Sequence, residues 1–232
     1  MASDRNRAWK FWAAGIVVAL VLVGTIVGIL LPTRDGPGST ARPTATPPSA
    51  SPVASDGCDM PESDSTAVPA DIEWESSGGV SWPQSASVGP TAENDGFATC
   101  FERSPRGAAL AGATMLYSMA EHEPADAMAF YVTDSPGRSA LLAAVGNSTS
   151  GEFVAGLQES GVSLAGFNVL EYSPERATIQ LVSNAPRSLT GFHAAPLTLV
   201  WVDGDWRLKP QDDGSLGAPT PIRAGQFIAW GS

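Results

Sequence analysis

A chain of 232 residues, 43% of them hydrophobic, is long enough for one ordinary domain with accessory segments, so a single core is expected. Its net charge of −11 is unevenly placed: residues 1–31 carry Asp4 against Arg5, Arg7 and Lys10, which leaves −13 on the remainder. A domain this acidic, with no cluster of Lys and Arg, repels phosphates, which argues against direct nucleic-acid binding.

A short tail, residues 1–10, leads into residues 11–31, FWAAGIVVALVLVGTIVGILL, 21 positions without a charge. As a helix rising ~1.5 Å per residue this run spans roughly 30 Å, the thickness of a bilayer core. A cleavable signal peptide is the competing reading, but its apolar run is shorter and no clear small-x-small site follows Leu31. An uncleaved single-pass anchor in the cell membrane is therefore expected. Arg5, Arg7 and Lys10 precede the span and only Arg34, beside Asp35, follows closely, so the N-terminus should be cytoplasmic and everything after Pro32 extracytoplasmic. Gly24 and Gly28 form a G-x-x-x-G within the span and are the candidate contact for homo-dimerisation.

Residues 32–57 are Pro, Ser, Thr, Ala and Gly with little that could join a core, the composition of a disordered tether biased to extended conformations. Cys58 and Cys100 are the only cysteines, and an oxidising location permits a disulfide between them. Such a bridge would staple residues 58–96, read as an irregular segment, to the domain over residues 97–232. Two unpaired buried cysteines are the alternative; two lone thiols make a poor metal site, and Cys58 lies too far beyond the apolar run to carry a lipid.

Ser104-Pro105 caps a helix over RGAALAGATMLYSMAEH, whose apolar positions recur at Leu110, Ala113, Leu116, Tyr117 and Ala120. Pro124 ends it and can open a second helix, PADAMAFYV, with SALLAAV and EFVAGLQ as short helices after it. Two strands follow, VSLAGFNVLEYS and RATIQLVSN, joined at Ser173-Pro174-Glu175, and QFIAW supplies a last one.

Between them, LTLVWVDGDWRLK reads as a hairpin, because a type I′ turn needs positive φ at two positions and Asp203-Gly204 tolerates it. This register pairs Trp201 with Trp206 and Leu199 with Leu208. Leu197, Leu199, Trp201, Trp206 and Leu208 then share one face, and Thr198, Val200, Val202, Asp205, Arg207 and Lys209 the other. Asp203 and Asp205 are expected to serve the turn and the exposed face, since calcium needs more oxygen ligands than two carboxylates.

Helices followed by an antiparallel sheet define an α+β domain with helices covering one sheet face. The order of a long helix, shorter helices and hairpins ending in W-x-D-G-D-W-R-L resembles the nuclear transport factor 2-like fold, a cone of curved sheet around helices, over roughly residues 97–230. A short cytoplasmic tail, one span and a Pro-rich tether look like the bitopic scaffold subunits of type IV secretion and conjugation machines. Gly89-Pro90, Gly96-Phe97 and Pro105-Arg106-Gly107-Ala108 also resemble a membrane-anchored, uncharacterised domain of actinobacteria. These resemblances imply architecture and envelope or conjugation proteins as partners; they carry no catalytic residues over.

Enzymes do occur on the nuclear transport factor 2-like fold, so His122, with Glu121, Glu123 and Asp126 nearby, and His193 are the catalytic candidates. EHEPAD is not H-E-x-x-H, and its acids fall where one helix ends and the next begins, where Glu123 or Asp126 favours a helix N-terminus. No second acid or nucleophile is predictably beside His193, and G-x-S-x-G, a Walker loop, a dinucleotide fingerprint and Cys-x-x-Cys are missing from the sequence. The expectation is a non-catalytic scaffold or binding protein without metal or cofactor. The alternative is a small-molecule-binding or enzymatic cavity domain. A deep pocket holding His193 or another ionisable group would favour the second, and a filled cavity with an exposed apolar surface the first.

Overall fold

The computed structural model describes residues 58–231. The tail, the apolar span with Gly24 and Gly28, and the tether expected over residues 1–57 lie outside the described residues. The described part is α+β, with helices packed on an antiparallel sheet.

Residues 58–96, read from the sequence as irregular, hold one hairpin, β1 (Ile72–Ser77) with β2 (Val80–Ser85), and the first strand of a second, β3 (Ala92–Asn94) with β4 (Phe97–Thr99). The first turns at Gly78-Gly79, whose φ values of 58° and 82° suit a two-residue hairpin loop and are freely reached by glycine. Its apolar content is thin because β1 is largely exposed while β2 buries Val80 and Trp82. That asymmetry hid the pair from an alternation search.

α1 (Pro105–Tyr117) starts where expected: the Ser104 hydroxyl accepts the Gly107 N–H at 2.9 Å and Pro105 occupies the first turn. A single apolar stripe was expected, but the helix is buried on nearly every side, Arg106 apart. One flank faces the main sheet and another faces β2. Small residues make this possible. A Cβ at Gly112 would stand 3.0 Å from Ile179 Cδ1 and 3.3 Å from Leu197 Cδ1, so the glycine sets how closely the helix lies on the sheet. Gly112→Leu is expected to cost about 2 kcal/mol or more by overpacking, read as a lower urea midpoint at unchanged m-value. A loss under ~0.5 kcal/mol would show that the helix can retreat freely.

A 3-10 turn (Ser118–Ala120) precedes α2 (Pro124–Tyr131), α3 (Pro136–Val145) and α4 (Ser150–Ser160). Thr149 and Glu152 close a capping box on α4, and Gly161, at φ 68°, ends it. β5 (Ser163–Ser173), β6 (Arg176–Asn184), β7 (Phe192–Val202) and β8 (Asp205–Leu208) run in sequence across the main sheet. β9 (Thr220–Ile222) pairs with β7, and β10 (Ile228–Ala229) with β5. The β7–β8 register is the expected one, Trp201 opposite Trp206 and Leu199 opposite Leu208, with the two indole rings edge to face at 5.2 Å. Trp82, Phe101, Tyr131, Phe167, Trp206 and Trp230 are the large side chains buried at the centre.

Candidate functional site

Asp203 sits in the turn at φ 53°, a conformation that the turn requires and aspartate tolerates. Asp205 does not face solvent. It is 6% exposed, with Oδ2 accepting the Cys100 N–H at 2.8 Å and Oδ1 accepting those of Phe101 (3.2 Å) and Trp206 (2.9 Å). The expectation of a surface role fails because the backbone of Cys100 and Phe101 covers Asp205. Burial raises the Asp205 carboxyl above its ordinary value, against the pull of these three N–H groups and of Arg207.

Residues 100–103 collect further contacts. Cys100 is bridged to Cys58, with Cα atoms 5.4 Å apart. The Glu102 carbonyl accepts the Trp206 indole N–H at 3.0 Å, and the Arg103 carbonyl accepts the Tyr172 hydroxyl at 2.9 Å. Arg103 bonds Glu62 at 2.6 Å and the Pro174 carbonyl at 2.7 Å, and its guanidinium lies 5.3 Å from the Trp201 ring centroid. The first described residues, the start of α1 and both long hairpins thus meet on four consecutive positions.

Glu102 is 1% exposed yet accepts four hydrogen bonds, from Ser63, Ser104 and twice from Arg106. Burial pushes its carboxyl up, but the bonds from Arg106, Ser63 and Ser104 outweigh it and hold the group below its ordinary value of 4.5. A depressed folded value means that the stabilisation is complete above the unfolded value and fades as pH falls through the folded one. Glu102→Gln should therefore lower stability by roughly 2 kcal/mol at pH 7, with the gap to the parent narrowing below about pH 4. A gap that is constant from pH 7 to pH 3 in urea titrations would remove the charge from the explanation.

The two histidines occupy different places. His122 follows the 3-10 turn, and its ring centroid lies 4.4 Å from that of Phe97. Glu123 takes the N-cap position of α2 without a side-chain cap bond, and Asp126 lies in the first turn, so these acids stand at the helix junction. His193, on β7 opposite Ser183, borders an apolar groove of about 490 Å³ with the fully exposed Leu189; Arg187 is the other ionisable group on its lining. The structure thus does not bring His122 and His193 together.

A cleft of about 580 Å³ lies between β1–β2, β3–β4, the end of α1 and α2. Its floor is Trp82, Thr114, Ser118 and Tyr131, all buried, and its rim carries Glu75, Glu93, Glu121 and His122. The Tyr131 hydroxyl donates to the Ala98 carbonyl at 3.0 Å, and burial raises its pKa, so it stays protonated. Sequence reasoning missed this cleft, except for Glu121 and His122, because its walls come from segments far apart in the chain. The Gly78-Gly79 turn was the one local sign that residues 72–85 bend into a hairpin.

A family model described as a domain of unknown function (DUF8175) matches residues 35–226. No curated protein and no solved structure matches the chain.

Proposed function

Because the chain belongs to DUF8175, a family described as a domain of unknown function, we propose a function from its own residues. It is a non-catalytic, membrane-anchored scaffold that presents an extracytoplasmic binding domain to other envelope proteins, as a component of a conjugative DNA-transfer apparatus. The observation that carries the location is the Cys58–Cys100 bridge, directly after the Pro-rich segment. Disulfides persist in oxidising compartments, which is where the charge asymmetry around residues 11–31 would deliver this domain. The nuclear transport factor 2-like reading of the fold is part of the proposal, supported by helices α1–α4 preceding the long antiparallel strands β5–β8, against which α1 packs.

A membrane-impermeant thiol reagent applied to intact cells should label a cysteine introduced at Ser39 and spare one at Ser3. Labelling at Ser3 alone reverses the orientation. Crosslinking in intact membranes with mass spectrometry should recover membrane-bound transfer components. His122→Ala and His193→Ala should support transfer at the parental level, while a chain lacking residues 1–31 should fold and fail.

A second reading, a cavity domain, is favoured by the cleft with its ionisable rim. It replaces the first if crosslinking recovers no protein and His122→Ala, on the rim of this cleft, abolishes activity with the fold intact.

A further inference from the structure

We propose that the cleft between β1–β2, β3–β4, α1 and α2 binds an elongated organic polycation, an aliphatic amine with more than one ammonium group. The inference rests on the cavity reading of this cleft and is independent of the scaffold reading.

Charge comes first. Glu75, Glu93 and Glu121 reach the rim from three different elements, and no Lys or Arg is on the lining among the described residues. The carboxylates do not converge: no group of three His, Cys, Asp or Glu among the described residues is placed to hold a metal ion. Negative charge spread around a mouth suits a ligand whose positive charges are also spread, rather than a point cation.

The floor carries the second observation. Thr114 is 2% exposed and lines the cleft, and its buried Oγ1 has no hydrogen-bond partner among the described residues. A helical threonine can return its hydroxyl to the carbonyl four residues back, and a buried hydroxyl left unsatisfied is costly. An amine N–H reaching the floor would supply the partner. Trp82 and Tyr131 line the same cleft and offer aromatic side chains for the methylene chain or a cation. The volume, about 580 Å³, lies within the range of small-molecule sites.

The test is calorimetric titration of the full chain in zwitterionic lipid nanodiscs, with empty discs subtracted, at about 0.15 M salt to screen diffuse attraction. Spermidine is the probe, and 1,8-octanediol is an uncharged control of similar length. Spermidine should bind one site with Kd below about 1 mM. Thr114→Val, and separately the exposed pair Glu93→Gln with Glu121→Gln, should each weaken it by about tenfold or more, a loss of ~1.4 kcal/mol. Glu171→Gln with Asp212→Asn, exposed acids outside the lining, should leave Kd unchanged. Equal weakening by both acid pairs would mean attraction to net charge and would overturn the site. Binding of octanediol but not spermidine, lost in Thr114→Val, would keep the cavity and overturn the amine. Binding of neither overturns both.

Discussion

Asp205→Ala should destabilise the protein by about 3 kcal/mol or more, as a lower urea midpoint with little change in m-value. Three backbone N–H groups, those of Cys100, Phe101 and Trp206, end on this one buried carboxylate, and alanine leaves all of them without an acceptor. Each orphaned buried donor costs on the order of 1–3 kcal/mol, partly offset here because a buried carboxylate no longer has to be kept from water. Asp205→Asn should fall between the two. Its carbonyl oxygen can serve Phe101 and Trp206, but its amide then meets the Cys100 N–H donor to donor. A loss below ~1 kcal/mol for Asp205→Ala would mean that water or a shifted backbone replaces the carboxylate.

Reducing the Cys58–Cys100 bridge is expected to have an effect of similar size. The bond spans a sequence separation of 42, and closing a loop of that length removes roughly 4 kcal/mol of unfolded-state entropy in the chain-entropy model. The folded side has its own ties at the same corner, where Glu62 meets Arg103 and Ser63 meets Glu102. Reduction should therefore lower the melting temperature without dissolving the fold, and non-reducing peptide mapping should link Cys58 to Cys100. Free thiols at both positions in fresh material would end this account.

The parts of the fold that were legible in the sequence are the local ones. The cap at Ser104, the Asp203-Gly204 turn and the β6 boundaries each depend on neighbours a few residues away, and short-range pattern fixes them. The β7–β8 pairing followed from its turn alone. Asp205 was misread because alternation names the two faces of a strand without saying what covers the second, and the cover arrives from Cys100 and Phe101. The hairpin β1–β2 was missed for a related reason: one of its strands is exposed and the other contains Pro83, which weakens every strand signal except its Gly-Gly turn. The cleft combines both difficulties. Thr114 reads as an ordinary helical position until Trp82 and Glu93, from separate hairpins, are found to wall the same cleft.

The covalent bridge also decides how the domain would bear tension. A pull on the chain ahead of Cys58 passes through the sulfur atoms to Cys100 and from there into α1 and the residues that follow. Residues 59–99 lie off that covalent route, so tension does not run along the backbone of β1–β4, which wall the cleft. Beyond the bridge, force reaches the carboxylate of Asp205, the indole of Trp206 and the guanidinium of Arg103 together, side by side rather than one after another. A pull applied ahead of Cys58 would enter the molecule at this cross-braced corner rather than through the walls of the cleft.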